Sequence, residues 1–166
     1  MVYNWADRLG RGSGVKFVVD HMLGRLAKWL RILGYDTVYS PSLDDPDLVR
    51  ISQAEGRLLL TRDTGIARRK GIECLLIDSD RLEEQLAQVA RHCGLDFSNE
   101  TMSRCLRCNV ALDEVHKEAV RGMVPEYVWH NQGQFRCCPV CARLYWRGTH
   151  WERMRERIAA LKLGLT

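Results

Sequence analysis

"RLLLTRDTG" (Arg57–Gly65) is the stretch on which the reading of the fold turns. Leu58, Leu59 and Leu60 follow one another without polar alternation, so the strand they form has to be covered on both faces. Such a strand belongs in a parallel sheet with helices above and below it. It runs straight into Thr61, Arg62 and Asp63, so a core strand ends by delivering a carboxylate with an arginine beside it. An acid in that position is often only a helix cap. It also lies where open parallel sheets build their sites, at the carboxyl ends of the strands.

The flanking sequence supplies the rest of such a sheet. "VKFVVD" (Val15–Asp20) predicts a first strand, and "HMLGRLAKWLRILG" follows with Met22, Leu23, Leu26, Trp29, Leu30 and Leu33 at helical spacing. Gly34 stands where a glycine stops a helix. "DTVYS" (Asp36–Ser40) predicts a second strand. In "DDPDLVRISQAEG", Asp44 or Asp45 caps a helix whose first position is Pro46, and Gly56 closes it. "TGIARRKG" reads as a short helix or turn, and "IECLLID" (Ile72–Asp78) as a fourth strand. "SDRLEEQLAQVARHCG" reads as a longer helix, with Asp80 and Glu83 spaced as a capping box. Strands alternating with helices predict an α/β fold, a parallel sheet joined by right-handed crossovers.

After about Leu95 the composition changes. "DFSNETMSR" is polar and reads as a linker, and beyond it come paired cysteines, aromatics and arginines. The expected organisation is a leader over residues 1–14, an α/β domain over 15–98 and a small cysteine-rich module over 99–166. The module ends in a helix that Thr149 and Glu152 would open as a capping box. The leader, "MVYNWADRLGRGSG", has no apolar signal-peptide core, and no apolar run approaches the roughly 18 residues of a membrane span. Charge divides along the same line: 12 Lys/Arg against 14 Asp/Glu over residues 15–100, then 11 against 6 over 101–166. An acidic part beside a basic part suits a metal centre next to a polyanion-binding surface, or simply a solvated arginine-rich module.

Seven cysteines, an odd number, without a secretion signal argue against a disulfide framework, for metal binding and for a cytoplasmic protein. "RCLRCN" and "RCCPVCA" give Cys105-x-x-Cys108 and Cys138-x-x-Cys141, two knuckles whose four sulfurs match the tetrahedral preference of structural zinc. The 29 residues between them allow an antiparallel hairpin, as in a zinc ribbon. Cys138 is preferred to its neighbour Cys137 because its spacing repeats that of the first knuckle. Cys74 and Cys93 stand alone and read as core residues. Four sulfurs leave no open coordination position, so this zinc is expected to hold the module together and not to perform chemistry.

Three acids form a second constellation. Asp20 ends the first strand, Asp63 ends the third, and Asp45 opens the helix between the second and third. With neighbouring parallel strands they share one edge, where carboxylates repel one another unless a cation is present. Hard divalent ions such as Mg²⁺ or Mn²⁺ take oxygen ligands of this kind. Each acid has an ordinary use as well: Asp20, Asp45 and Asp63 can each cap a helix, Asp44 competes with Asp45, and Asp78 or Asp80 is a further acid or a further cap.

Together, "FVVDHMLGRLAKWLRILGYDT", "LLLTRD", "RCLRCN", "CPVC" and "YWRGTHWERM" resemble the mut-seven C-terminal RNase family, described as a PIN-like nuclease domain followed by a zinc ribbon. The resemblance runs from about Lys16 to Arg157. It implies a PIN-like α/β fold and metal-dependent hydrolysis of RNA, with Asp20, Asp45 and Asp63 as the catalytic acids and Thr61 in support. The four cysteines match the ribbon ligands of that family. PIN nucleases often carry a fourth acid on an extra helical segment after the second strand. This chain has only "SPSL" there, which is compatible with a one-metal site or weak activity.

Arg25 and Lys28 on the first helix, and Arg62, Arg68 and Arg69 around Asp63, are the expected contacts to RNA phosphates. In the ribbon, Arg104, Arg107, Arg136, Arg143 and Arg147 interleave with Trp129, Tyr145, Trp146 and Trp151, a pattern suited to single-stranded RNA but equally to a small aromatic core. The leading expectation is therefore a ribonuclease on single-stranded RNA with zinc as structural ion. The alternative is a non-catalytic RNA- or ribosome-binding protein on a PIN-like scaffold. A second copy of the chain is a further candidate partner.

Overall fold

A computed structural model describes residues 14–95, 97 and 101–163. The leader, apart from Gly14, and residues 96 and 98–100 of the expected linker lie outside the described residues.

The first half is the expected α/β unit. Strands β1 (Phe17–Val19), β2 (Thr37–Val38), β3 (Leu58–Thr61) and β4 (Cys74–Leu76) form one parallel sheet in the order β2-β1-β3-β4. A 3₁₀ turn (His21–Leu23) leads into helix α1 (Gly24–Ile32), which Gly34 ends at φ 88°. Helices α2 (Asp45–Glu55), α3 (Thr64–Ala67) and α4 (Leu82–Cys93) complete the unit.

The triple leucine works as its sequence demands. Leu58 and Leu60, with Phe17 and Val19, join the larger core beneath α1 and α4. Leu59, with Val18, faces the other way and meets Leu48 of α2 and Ile66 of α3. Successive strand residues point to opposite faces, so one apolar run serves two cores.

The start of α4 corrects one expectation. Asp80 and Glu83 form no capping box; Arg81 occupies the cap position without a side-chain bond. Ser79 instead accepts from the Arg81 amide and donates to Glu84. Its hydroxyl sits one residue nearer the turn and does locally what the longer box would have done.

The second half folds around an antiparallel sheet, β5 (Asp113–Val115), β6 (Phe135–Cys137) and β7 (Leu144–Trp146), with a short helix α5 (Glu126–Asn131) between β5 and β6. Its own core is small: Val120, Val124 and Phe135, with Val115, Val128, Trp129, Leu144 and Trp146 against them. Helix α6 (Thr149–Leu163) then returns to the first half, where Met154 and Ile158 enter the larger core. Arg157 lies 5.3 Å from the Trp29 ring centroid and pairs with Glu83 of α4. Among the described residues no helix is long and apolar enough to cross a membrane.

Candidate active site and metal centre

Register decides what meets at the carboxyl edge of the parallel sheet. Val19 pairs with Leu60, so the next residue on each strand, Asp20 and Thr61, stand side by side. Asp20 is buried, and each of its oxygens has a partner: Thr61 Oγ1 donates to Oδ2 at 2.6 Å, and His21 Nδ1 lies 2.7 Å from Oδ1. Thr61 Oγ1 also accepts from the Asp63 amide at 2.9 Å. One hydroxyl thus ties the two strand-end acids together. Asp63 caps α3, its Oδ1 taking the amides of Gly65 (2.6 Å) and Ile66 (3.3 Å), while no described residue donates to its Oδ2.

The remaining acids stand at the head of α2. Asp44 is the cap, accepting from the Asp47 amide at 2.9 Å, which leaves Asp45 as the first helical residue. Asp45 faces Arg69 at 3.6 Å across an open cleft of about 510 Å³ that His21, Ser42 and Asp44 also line. Gly24 keeps this corner compact, because a Cβ there would run into the Tyr39 hydroxyl, which itself donates to the His21 carbonyl. Among the described residues, Asp20, Asp45 and Asp63 do not gather as a set of metal-ligand atoms within 4.8 Å of one another; the four cysteines do. Sequence reasoning did not pick out His21. Its one legible signal was its position directly after the first acid.

The cysteine cluster joins Cys105, Cys108, Cys138 and Cys141 and leaves Cys137 out. The two knuckles are near-duplicates. In the first, the Cys108 amide donates to Cys105 Sγ and the Asn109 amide to the Cys105 carbonyl; in the second, Cys141 and Ala142 do the same toward Cys138. Asn109 and Ala142 take left-handed backbone, φ 65° and 54°, to close these turns. Tyr145 from β7 lays its hydroxyl 3.2 Å from Cys105 Sγ. Burial alone would raise the Cys105 thiol, but the Tyr145 hydroxyl and backbone amides hold it at about 6. Cys108 is pushed up to about 12, first by its sulfur neighbour Cys141. Four crowded thiols cannot all ionise alone, whereas a dication lets them, and amide donors stabilise the resulting thiolates. The donor set is that of a structural zinc site.

The cluster docks at the opposite end of the sheet from the acids. Buried Arg31 of α1 donates to the carbonyls of Leu106 (2.8 Å) and Arg107 (3.2 Å) in the first knuckle and to that of Thr37 (2.9 Å). Asn109 bonds Asp36 Oδ1 and the Thr37 amide, and Arg104 bonds the Gly34 carbonyl. These contacts lie at the amino end of β2, whereas Asp20 and Asp63 follow the carboxyl ends of β1 and β3. The four residues of β3 separate the two edges by roughly 13 Å.

The expected cationic contacts Arg25, Lys28, Arg68 and Arg69 are exposed, and Arg62 is half-buried. The ribbon aromatics are largely spent on structure. Trp129 and Trp146 pack on the small core and Trp151 on the larger one. Lys117 and Arg121 stack on Trp129, and Arg147 and Arg155 on Trp151.

A family model described as Mut7-C RNAse domain matches residues 15–158. No curated protein and no solved structure matches the chain.

Proposed function

Because the chain belongs to the Mut7-C RNAse domain family, we propose that it is a divalent-metal-dependent ribonuclease that hydrolyses phosphodiester bonds of single-stranded RNA. The observation that supports this most is the hydrogen-bond chain Asp20–Thr61–Asp63 at the carboxyl edge of the parallel sheet, where the α/β architecture builds its sites. Asp20, Asp45 and Asp63 would hold Mg²⁺ or Mn²⁺, whose oxygen preference and retained waters suit a few carboxylates on an open cleft. Bound there, the ion supplies a Lewis acid for the phosphate under attack. Thr61 fixes the Asp20 carboxylate, and Asp44 caps the helix that presents Asp45. Arg25, Lys28, Arg62, Arg68 and Arg69 hold phosphates of the bound strand. Zinc on Cys105, Cys108, Cys138 and Cys141 is structural, and the ribbon assists RNA binding.

The second reading is an RNA-binding protein without catalysis. It is favoured by the occupied state of the acids: Asp63 caps α3, Asp45 faces Arg69, and both Asp20 oxygens have partners within the chain. One substitution separates the two. Asp63→Asn keeps a good helix cap but loses the charge. Cleavage of single-stranded RNA in Mg²⁺ or Mn²⁺ should disappear in this variant while binding survives. Cleavage that continues at the wild-type rate refutes the assignment, and binding with no cleavage by the wild type selects the second reading.

A further inference from the structure

Helices α1 and α6 come from opposite ends of the chain and enclose a groove of about 440 Å³. Its lining holds four cations, Arg25 and Lys28 from α1 and Arg153 and Arg157 from α6, over a floor of Trp29 and Met154. Among the described residues, no carboxylate lines it. Arg157 is partly neutralised by Glu83, which also feels Arg25. Arg25, Lys28 and Arg153 are exposed and form no ion pair with a described residue. Cations held this close repel one another, and a polyanion relieves that repulsion. The buried floor keeps the two helices, and therefore the charges, at fixed spacing.

We propose that this groove is a composite binding track for the phosphate backbone of single-stranded RNA, built jointly by α1 and α6. It rests on the ribonuclease-family reading for the choice of RNA as the polyanion. The track starts beside the acidic edge, because α1 begins directly after the turn that follows Asp20. From Arg25 to Ile32 it follows about 10 Å of helix rise toward the edge where the cysteine cluster docks. A strand leaving the acids along α1 therefore meets cations from both ends of the chain. The ribbon's tryptophans offer less, since Trp129 and Trp151 already carry the chain's own cations on their rings.

The test is binding of a fluorescein-labelled single-stranded RNA by the full chain, followed by anisotropy across a salt series. Zinc is retained and Mg²⁺ and Mn²⁺ are left out, so binding is read apart from cleavage. The double variant Lys28→Glu/Arg153→Glu is compared with Arg50→Glu/Arg91→Glu, an equal change of charge at exposed sites outside the groove, after thermal melts establish that both fold. The groove variant should weaken binding about tenfold or more at 50 mM salt and flatten the log–log salt slope by about 1.4, the value for two lost contacts to a single strand. The control should do neither. Equal losses in both variants, or no loss in the groove variant, overturn the proposal. So does a wild type that binds phosphatidylserine vesicles but not RNA. A wild type that binds RNA through the groove, yet does not cut it when Mg²⁺ is added, sinks the catalytic reading and leaves the groove standing.

Discussion

Replacing Arg31 with methionine should loosen both halves of the molecule at once. The side chain is 6% exposed and sends three short hydrogen bonds, of 2.8, 2.9 and 3.2 Å, to the carbonyls of Leu106, Thr37 and Arg107. Methionine fills much of the same volume, so the loss is polar and not a cavity. Hydrogen bonds from a charged donor contribute roughly 1.5–3 kcal/mol each. Desolvation of the guanidinium offsets part of this, and burial does hold the Arg31 pKa below its ordinary value. The expected net cost is about 3–4 kcal/mol, because the neutral carbonyls left behind lose their donor without a replacement. At about 2–4 °C per kcal/mol for a chain of this size, Tm should fall by roughly 6–16 °C. Thermal melts followed by circular dichroism measure it, with exposed Lys28→Met as a control expected to stay within about 0.5 kcal/mol of wild type. Zinc extraction by a chelator should also be faster in the Arg31 variant, because the first knuckle loses its anchor. A Tm within about 2 °C of wild type, with unchanged extraction, would refute the idea that Arg31 couples the knuckle to the sheet.

Asp36 should make stability pH-dependent. Burial pushes its pKa up, but hydrogen bonds from Arg57 and Asn109 win and hold it below the ordinary aspartate value. A depressed folded pKa means the contribution is complete above the unfolded value and is lost as pH falls through the folded one. The difference in Tm between wild type and Asp36→Asn should therefore shrink below about pH 4. A difference that stays constant from pH 7 to pH 3 would rule this out. Thr61→Val should lower RNA cleavage by about 10- to 100-fold, as for other losses of a group that orients a metal ligand; an unchanged rate would remove Thr61 from the site. In zinc-loaded native protein a thiol reagent should label Cys137 first. Cys74 and Cys93 are pushed up to about 11 and 12 by burial and should stay unreacted, while the four cluster thiols should react only after chelation. Rapid labelling of the cluster before chelation would contradict a bound ion.

Much of this molecule was legible because its signals are local. The leucines of β3, the helical spacing through Leu23–Leu33 and the two C-x-x-C turns each depend on neighbours a few residues away. The second strand came out shorter than its sequence suggested: Asp36–Ser40 yields only Thr37–Val38 as β2, paired with Phe17 and Val18 of β1. What could not be read was which polar groups would pair across the fold. Nothing local marks Arg31 as different from Arg25 and Lys28 on the same helix, and only the docked knuckle shows why it is buried. The ribbon aromatics matched a stacking surface equally well, yet a sheet of three short strands had to spend them on packing.

The sequence by itself determined the alternation of strands and helices, the pairing of the four cysteines into two knuckles, and the placing of acids at strand ends. All of these follow from chemistry confined to one segment. The tertiary structure alone decided that Thr61 would bridge Asp20 to Asp63, and that the cysteine cluster and the acids would occupy opposite edges of the sheet. It also brought α6 against α1. Those outcomes depend on register and on long-range packing, where partners lie about 40 to 130 residues apart in the chain and no local pattern specifies them.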